Sequence, residues 1–357
     1  MTRIVRLSDV AKAAGVSQGT ASNVFNRPDI VRKEVRDRVE AAARALGYAG
    51  PDPKGRLLRA GKVNAIGVAT AEPLSYFFED PFARVLMAGI AGACDQQGAG
   101  LALVSAANEE KLAWNIQSAI VDGFVLFCIE GGPRLVESTR GRRLPFVALG
   151  LDNGDETVAA IGIDDFAGAR IIADHLAALG HRRFAMLTLP LADGRVGPIT
   201  EADIEAAVYV SAVERIRGYH AALAAHGIDI GAVPMFETEN DRESAEAALT
   251  AIFAAPEPPT AILAMSDRLA LLTLDWLRAR GLHVPGDISV VGFDGVPEGA
   301  RSDPPLTTMT QPIEKIGRLA VRMIFDEADR PRRLTVDVAL TLRASTAPPR
   351  VAPQDGA

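Results

Sequence analysis

Residues 7–26 read LSDVAKAAGVSQGTASNVFN, and this stretch decides the fold of the N-terminal part of the chain. Ser8 is predicted to cap a first helix that begins at Asp9, whose carboxylate suits the positive end of a helix. Gly15 stands where a tight turn needs a positive φ, and Ser17 is predicted to cap a second helix. The pattern indicates two short helices joined by a tight turn.

Small and apolar residues place these helices on a common core. Ala11 is small where the helices approach each other, and Ala21 and Val24 follow the turn glycine at the spacing of a helix-turn-helix. A third helix that stops at Gly47 is predicted from one apolar stripe, formed by Val31, Val35, Val39 and Leu46. A helix-turn-helix typically binds DNA, and the alternative is a three-helix module that binds another protein.

Charge is distributed unevenly along the 357 residues, whose formal net charge is −7. Residues 1–62 hold 13 Lys+Arg and 6 Asp+Glu, a net charge of +7, so the remainder carries −14. A small basic head on a large acidic body is expected when one segment contacts a polyanion. The asymmetry favours nucleic acid as the partner of the head, although a chance cluster of solvated charges would give the same sum.

After the head, short apolar runs alternate with helical stretches. The predicted strands are 65–70, 101–105, 123–129, 145–150, 183–187, 261–265 and 288–294. The predicted helices, each ending at or just before a glycine, are 81–98, 167–180, 214–227 and 267–281. Such repeats need crossover connections and therefore predict parallel sheets with helices on both faces. Because roughly 280 residues exceed one comfortable sheet, we predict two lobes with a ligand cleft at the carboxyl ends of their strands.

These patterns divide the chain into four parts. We predict an all-α helix-turn-helix headpiece over residues 1–50, a basic Pro/Gly-rich connector over 51–62, and a two-lobed α/β body over 63–345. Residues 346–357 are Pro-rich and are predicted to form a loose tail. The tail lacks the leucine heptads of a tetramerising coil.

Composition and motifs exclude several classes of protein. With 48% hydrophobic and 23% charged residues the chain can bury large cores, so global disorder is excluded. No apolar run approaches the ~20 residues of a membrane span, and the N-terminus lacks the apolar region of a secretory signal. We therefore expect a cytoplasmic, nucleoid-associated protein without a membrane partner.

Signatures of catalysis and metal binding are also missing from the sequence. Cys94 and Cys128 are too few for a disulfide framework or a four-ligand zinc site, and the five histidines show no metal-ligand spacing. No GxGxxG opens a helix after a strand, and GxxxxGK[ST] and GxSxG are absent. We therefore expect no enzymatic activity, no cofactor and no metal.

Residues 7–48, LSDVAKAAGVSQGTASNVFNRPDIVRKEVRDRVEAAARALGY, resemble the headpiece of the LacI-type (lactose/galactose repressor) family. The resemblance implies that residues 17–26 lie in the major groove of operator DNA, with Gln18, Gly19 and Asn23 at the base-reading positions. Gln and Asn can each pair with adenine through two hydrogen bonds, whereas Gly19 has no side chain. Phosphate contacts are expected from the helix start and nearby polar side chains, at Ser17, Thr20, Ser22 and Asn26. Arg32 departs from the family pattern, which has a capping Ser or Thr there.

The connector PDPKGRLLRAGK resembles the hinge of the same family, in which a short helix folds on DNA and inserts a leucine into the minor groove. The resemblance places Leu58 at that leucine and Arg56 along the walls of the groove. Gly55 makes such a helix intrinsically weak, so it would depend on DNA and on a partner subunit. The alternative is a plain flexible linker.

The body resembles the two-lobed effector domain of the family, which is similar to periplasmic sugar-binding proteins of type I. The matching stretches are 121–127, 161–187 and 264–312. The resemblance places Arg215 where an arginine clamps effector hydroxyls, and Asp294 ends a predicted strand where its carboxylate can accept two hydroxyl hydrogen bonds. A guanidinium fork and a carboxylate together complement a vicinal diol. The alternative for each residue is a salt bridge between the lobes.

Further effector candidates carry weaker signals. Ser266 and Asp267 follow a predicted strand, although Asp267 would equally serve as a helix cap. Asp164, Asp165 and Gln311 are weaker still, Gln311 because it lies near an expected crossover. Aromatic residues follow the first strand, and Phe78 is proposed to stack on a sugar ring, with core or interface packing as the alternative for it and its neighbours Tyr76 and Phe77.

Together these observations predict a ligand-responsive transcriptional regulator that acts as a homodimeric repressor. It would bind a pseudo-palindromic operator in double-stranded DNA, and a small metabolite, a sugar or sugar derivative, would bind between the lobes. The two alternatives are a sugar-binding transport protein, which the basic N-terminus and missing export signal disfavour, and an α/β enzyme with a fused DNA-binding head. Residues 191–210 are longer than the usual loop of the family and are expected to shape the mouth of the cleft.

Overall fold

The computed structural model describes residues 5–50, 62–127, 132–150, 155–192, 194–326 and 333–350. The chain divides into two compact units between Val63 and Asn64, close to the predicted end of the connector. Among the described helices, none combines the length and the apolar character that a membrane span requires. The described residues also contain no group of three or more His, Cys, Asp or Glu side chains arranged to hold a metal ion.

The first unit contains three helices, α1 (Leu7–Ala14), α2 (Gln18–Asn26) and α3 (Lys33–Leu46), with a 3-10 turn at Pro28–Ile30. Gly15 ends α1 with φ 65°, and Ser17 caps α2 by accepting the Thr20 backbone N–H at 3.0 Å. The helices enclose a small core of Val10, Ala11, Ala14, Ala21, Val24, Val39 and Ala43. The predicted tight turn and the predicted cap of the second helix are therefore confirmed.

The start of α1 differs from the prediction. The helix begins at Leu7, so Ser8 lies inside it and the predicted Ser8 cap is wrong. The Asp9 carboxylate instead reaches back from the third helical position and accepts the Arg6 backbone N–H at 2.9 Å. A carboxylate in the first turn accepts a backbone N–H that has no partner within the helix, and its negative charge also interacts favourably with the positive end of the helix. A serine hydroxyl has no charge to interact in this way.

The apolar stripe of α3 also differs in part. Val31 packs against the core as predicted, although it precedes the helix, whereas Leu46 is 38% exposed and does not belong to the buried stripe. Val39 is fully buried as predicted, and Ala43 takes the place expected of the leucine. Arg32 at the helix start makes no side-chain capping hydrogen bond, in keeping with its departure from a Ser or Thr cap.

The second unit is built on two sheets. The first contains β1 (Ala65–Thr70), β2 (Gly100–Ser105), β3 (Gly123–Phe127), β4 (Phe146–Leu149), β5 (Ala160–Ile163) and β12 (Arg333–Val336), in the order β12-β5-β4-β3-β1-β2 with all pairings parallel. Its helices are α4 (Tyr76–Glu79), α5 (Pro81–Gln97), α6 (Glu109–Ser118), α7 (Gly132–Arg140) and α14 (Ile313–Phe325). Apolar side chains fill a core on each face of this sheet.

The second sheet contains β6 (Phe184–Thr188), β7 (Gly197–Pro198), β8 (Met235–Glu237), β9 (Ala261–Ala264), β10 (Ser289–Asp294), β11 (Thr307–Thr310) and β13 (Ala339–Thr341), in the order β13-β11-β10-β9-β6-β8-β7. Its helices are α8 (Asp165–Ala178), α9 (Glu201–Glu205), α10 (Val210–Ala225), α11 (Arg242–Phe253), α12 (Asp267–Ala279) and α13 (Pro297–Arg301), with a 3-10 turn at Ile230–Ala232. The edge strands β13 and β7 pair antiparallel, so this sheet is mixed rather than purely parallel as predicted.

The chain passes between the two lobes at three described places, residues 163–165, 310–313 and 336–339. Gln311 lies on the second of these crossings, as expected. The predicted two-lobed arrangement is confirmed, because each sheet with its helices forms one lobe. The sequence analysis did not identify the strands β5, β7, β8, β11, β12 and β13.

The described part of the predicted tail is not loose. The Thr346 hydroxyl hydrogen-bonds His175 Nε2 at 3.1 Å, and the Ala347 backbone N–H donates to Ser289 Oγ at 3.0 Å. His181 Nε2 lies 2.9 Å from the Ala347 carbonyl oxygen, so both histidines have a structural role here. The second lobe therefore extends beyond residue 345, and residues 351–357 lie outside the described part of the chain.

Candidate functional site

The exposed face of α2 carries the residues predicted to read DNA bases. The side chains of Gln18 and Asn23 are exposed, and neither makes a hydrogen bond to another described side chain. At Gly19 an added Cβ would meet only Ser17 Oγ, at 3.8 Å, so the surface between the two amides is open. Both amides are therefore available to a partner, and a glycine beside them lets that partner approach the backbone closely.

The polar residues predicted to contact phosphates pair with one another along α2. Ser17 Oγ and Thr20 Oγ1 are 2.9 Å apart, and Asn26 Nδ2 donates to Ser22 Oγ at 3.0 Å. These pairs orient hydroxyl groups at the start and along the side of the helix. The hinge candidates Arg56 and Leu58 lie outside the described residues, so their roles stay predictions.

A cavity of about 310 Å³ lies between the two lobes of the second unit. It lies at the carboxyl ends of the strands in both sheets, where ligands bind in open α/β folds, and its size falls in the usual range of small-molecule sites. Its apolar wall includes Phe82, Phe127, Leu149 and Ile163. Its polar wall consists of Glu72, Ser75, Tyr76, Glu79, Asp80, Asp165, Ser211, Arg215, Glu239, Asn240, Ser266, Arg268, Asp294 and Gln311.

Arg215, on α10, is held from three directions. Its Nε donates to Asp165 Oδ1 at 2.7 Å, a terminal nitrogen donates to the Met265 carbonyl at 2.5 Å, and its guanidinium carbon lies 3.8 Å from the centre of the Phe293 ring. Burial by itself lowers the pKa of Arg215, but the carboxylates of Asp165 and Asp294 outweigh it, so the pKa is raised and the charge is retained. Arg215 and Asp165 pack in the same lobe, so their pair is not the interlobe bridge considered above.

Asp294 ends β10 with an unusual backbone. Its φ of 133° is rarely adopted by residues other than glycine, and strain of this kind concentrates at functional sites. Its Oδ1 accepts a hydrogen bond from Gln311 Nε2 at 2.9 Å. Burial raises the pKa of Asp294 well above its ordinary value, and the Asp267 and Asp80 carboxylates act in the same direction against the Arg215 charge. The Asp294 carboxyl faces the cavity and can hydrogen-bond a ligand hydroxyl.

Asp267 does not line the cavity, so its prediction as an effector residue is wrong. Its Oδ2 accepts the backbone N–H groups of Gly295 and Val296 at 2.8 Å each, and its Oδ1 accepts the Thr308 hydroxyl at 2.5 Å. Nor does it cap α12, because Ser266 does so. Asp267 instead fixes the turn that follows Asp294.

Asp267→Asn should change how stability depends on pH. Burial raises the pKa of Asp267 from 3.8 to about 6, against three hydrogen bonds that favour the carboxylate. Since the folded-state pKa is the higher one, the stability that Asp267 contributes is fully present below about pH 4 and is lost as the pH rises through about 6.

We therefore expect the free energy of unfolding of Asp267→Asn, relative to the unaltered chain, to rise by about 1–3 kcal/mol from pH 4 to pH 7. Urea denaturation at several pH values measures this difference. Asp241→Asn, which removes the capping carboxylate of α11, is the matched control for the loss of a carboxylate that accepts a backbone N–H. A difference for Asp267→Asn that stays constant across this pH range would contradict the prediction.

Residues that the sequence analysis missed join the two lobes across the cavity. Asp80, 2% exposed, caps α5 in the first lobe, and its Oδ2 lies 3.4 Å from an Arg268 nitrogen and 3.5 Å from Asn240 Nδ2 in the second. Arg84 and Glu298 form a second ion pair between the lobes. An Asp directly before a Pro that begins a helix is a recognisable cap signal, but its partners in the other lobe are not visible in the sequence.

Ser266 and Asp164 both cap helices beside the cavity. Ser266 Oγ accepts the Leu269 backbone N–H at 3.0 Å and donates to Asn240 Oδ1 at 2.6 Å, and it lines the cavity as predicted. Asp164 Oδ1 accepts the Ala167 backbone N–H at 2.8 Å and lines an adjoining cavity instead. Of the weaker effector candidates, Asp165 and Gln311 lie on the main cavity wall.

The aromatic candidates separate into three environments. Phe78 is 67% exposed and does not line the cavity, so the predicted sugar-stacking role of this residue is wrong. Phe77 is buried in the core, and Tyr76 lines the cavity, its ring 5.8 Å from that of Phe127. On a helix as short as α4, successive side chains point in different directions, so one residue of the three faces the ligand space.

The long segment 191–210 is held at the end of β8 by hydrogen bonds to Glu237. The Glu237 side chain is fully buried, and it accepts the Leu191 backbone N–H at 2.5 Å and an Arg195 nitrogen at 3.1 Å. The residues on either side of this segment, Pro190 and Ser211, line the cavity. The segment adjoins the cleft at both of its ends.

Comparisons with known proteins identify both units. Residues 6–50 match the family described as bacterial regulatory proteins, lacI family, and residues 173–346 match a periplasmic binding protein-like domain. An HTH-type transcriptional regulator of Mycobacterium tuberculosis (strain ATCC 25618 / H37Rv) is 38% identical over 329 residues, which cover 90% of this chain and 91% of that protein.

Solved structures agree with this match. A transcriptional regulator CelR–cellobiose complex has a TM-score of 0.67 at 29% identity, with 96% of this chain and 100% of that chain covered. The lac repressor dimer bound to operator and the anti-inducer ONPF has a TM-score of 0.76 at 25% identity, with 97% and 100% covered. With relatives named as transcriptional regulators over nearly its whole length, this chain is a DNA-binding regulator rather than an enzyme, and it belongs to the lacI family of bacterial regulatory proteins.

Proposed function

We propose that this regulator is a homodimeric repressor that binds a pseudo-palindromic operator and responds to a small carbohydrate in the interlobe cavity. The observation that carries the proposal is the cavity itself, which brings Arg215, Asp294 and Gln311 together at the strand ends of two lobes. The CelR relative is described in complex with cellobiose, and the lac repressor relative as a dimer on its operator. Both descriptions support the same arrangement here.

On the DNA side, α2 is the recognition helix. Its exposed amides, Gln18 and Asn23, can each form a bidentate pair with adenine in the major groove. In a dimer two such helices read the two halves of a palindrome, since protein and operator then share a two-fold axis. We propose residues 51–62 as the hinge, with Leu58 inserting into the minor groove between the half-sites and Arg56 beside it.

On the effector side, the contacts across the cavity supply the regulatory element. Asp80 in one lobe meets Arg268 and Asn240 in the other at the cavity wall, so a ligand bound there favours one lobe arrangement over others. By thermodynamic linkage, effector and operator must change each other's affinity by the same factor, typically ~5–150-fold.

The experiment that tests the function is an in vitro selection of bound fragments from genomic DNA by the purified full chain at near-physiological salt. We expect a pseudo-palindrome with a flexible central step, and the neighbouring genes then nominate the metabolite. The dissociation constant for that operator is next measured with and without the metabolite. Unchanged operator affinity at saturating metabolite would contradict effector control, and binding that is salt-sensitive but without sequence preference, with or without a metabolite pool, would contradict the repressor function.

Asn23→Ala should relax base preference at one position in each half-site. The exposed amide makes no bond to another described side chain, so its removal leaves the fold intact and removes one base contact that contributes about 1–3 kcal/mol of discrimination. Affinities for the operator and for single-base variants measure the effect. The control is Lys12→Ala, which removes an exposed cation on α1. We expect this substitution to weaken binding to all operator sequences by the same factor, as the loss of a phosphate contact does. An equal loss on every sequence for Asn23→Ala would make Asn23 a phosphate contact.

A further inference from the structure

The interlobe cavity is rich in carboxylates. Six of the described residues that line it are acidic, and two are basic; Lys and His are not found among them. The acidic residues are Glu72, Glu79, Asp80, Asp165, Glu239 and Asp294, and the basic ones are Arg215 and Arg268. Carboxylates accept hydrogen bonds and do not donate them when ionised, so the wall suits a ligand rich in O–H or N–H donors.

Both arginines lie beside carboxylates of the protein. Arg215 is bound to Asp165 at 2.7 Å and to a carbonyl oxygen, and its side chain is only 8% exposed. Arg268 lies 3.4 Å from Asp80, whose side chain is 2% exposed. If either guanidinium turned to an anionic ligand, a buried carboxylate would lose its counter-charge, which is strongly unfavourable.

Helix N-termini, the other common binding sites for phosphate, are occupied in part. Of the helices that begin at the cleft, α5, α8 and α12 each have one first-turn N–H group capped by a side chain, whereas α10 and α14 have no side-chain cap. Asp80 caps α5 at 2.9 Å, Asp164 caps α8 at 2.8 Å and Ser266 caps α12 at 3.0 Å. Two of these caps are carboxylates, which place negative charge where a phosphate would otherwise bind.

The adjoining cavity, about 260 Å³, extends the same chemistry. It shares Asp165 and Ser211 with the main cavity and adds Asp164 and Glu214. No basic side chain is present among the described residues that line it. Carboxylates therefore line both cavities, and an anionic ligand in either cavity would be repelled by them.

We propose that the effector is an unphosphorylated polyol, uncharged or carrying a protonated amine, and that the cleft rejects the phosphorylated form of the same compound. This inference rests on the proposed function and names the class of ligand for its site. Donor groups of such a compound match the carboxylate acceptors, whereas a phosphate would add negative charge beside a wall in which carboxylates outnumber guanidinium groups. We expect the phosphorylated form to bind at least tenfold more weakly.

The test uses the full chain and metabolite extracts from cells grown on several carbon sources. Each extract is divided by ion exchange into fractions retained by an anion exchanger, retained by a cation exchanger, or retained by neither. Stabilisation of the protein against thermal unfolding is measured for each fraction, with and without prior phosphatase treatment. We expect stabilisation from the neutral or the cation-exchanger fraction, undiminished by phosphatase.

Two variants connect the result to the cavity. Glu79→Lys places a cation on the cavity wall at an exposed position, and Glu257→Lys makes the same charge change on an exposed loop away from it. We expect Glu79→Lys to reduce the preference for the unphosphorylated over the phosphorylated compound by several-fold, and Glu257→Lys to leave it unchanged.

The outcomes separate the two hypotheses. Stabilisation by the anion-exchanger fraction that phosphatase abolishes would overturn this inference and leave the proposed function standing. If no fraction stabilised the protein, the proposed function would be contradicted together with the inference that rests on it. Equal responses of Glu79→Lys and Glu257→Lys would also contradict the assignment of selectivity to the cavity charge.

Discussion

Replacing Arg215 with alanine is expected to lower the free energy of unfolding of the second unit by about 3–5 kcal/mol. The guanidinium is 8% exposed and is the counter-charge of Asp165, and it also approaches the ring of Phe293. Without it, the partly buried Asp165 and the buried Asp294 lose the cation that lies beside them. Desolvation already raises the pKa of Asp165 in the presence of Arg215, so the loss of the arginine should raise it further.

A double-mutant cycle with Asp165→Asn identifies the cause of this loss. If the main cost is an uncompensated buried charge, the double variant should be less destabilised than the sum of the two single variants. Arg217→Ala is the matched control, because Arg217 lies on the same helix, is 62% exposed and pairs with Glu214, so its removal should cost less than about 1 kcal/mol. An Arg215→Ala variant as stable as Arg217→Ala would contradict the prediction.

The same substitution has a functional consequence. Arg215 lines the cavity and hydrogen-bonds both Met265, which follows β9, and Asp165, which begins α8. Effector binding should therefore weaken far more than operator binding, because the helix-turn-helix belongs to a separate unit. Effector binding and operator binding, each measured separately, test this expectation, and a folded variant that lost operator binding while still binding the effector would contradict it.

Much of this architecture could be predicted from the sequence, because its signals are local. The helix-turn-helix follows from a small residue, a glycine and a capping serine at fixed spacing, and all three are found where expected at Ala11, Gly15 and Ser17. Strands of five or six buried residues, such as β3 and β10, are visible as runs in which most residues are apolar. Resemblance to a family predicts the role of Arg215, and the position of Asp294 at the end of a predicted strand predicts its role. The structure places both on one cavity.

The remaining features depend on contacts between distant residues. Asp80 and Arg268 are 188 positions apart, and no local pattern indicates that they meet. Asp267 follows a strand, as a residue that binds an effector often does. Its carboxylate, however, accepts the backbone N–H groups of Gly295 and Val296. The short strands β5 and β8 have only four and three residues, too few for a periodic pattern to separate them from loops.

Gly89→Ala should be among the most destabilising single-methyl changes in the first lobe. An ideal Cβ on Gly89 of α5 would lie 2.3 Å from the Glu314 carbonyl oxygen and 2.9 Å from its Cα, and both of these are backbone atoms of the neighbouring helix α14. The reverse contact is equally close, since a Cβ on Gly317 would lie 2.6 Å from the Leu86 carbonyl oxygen. The two helices therefore touch backbone to backbone, and neither can yield by rotating a side chain.

The methyl group must push the helices apart, which typically costs about 1–3 kcal/mol and more where backbone has to move. Gly92→Ala on the same helix is the matched control, because nothing lies within 4 Å of its added Cβ and alanine favours a helix over glycine by about 0.5–1 kcal/mol. Urea denaturation should therefore show opposite signs for the two variants. If Gly89→Ala matched Gly92→Ala in stability, the close packing of α5 on α14 would be wrong, and with it the rigid wall that holds Asp80 at the cavity.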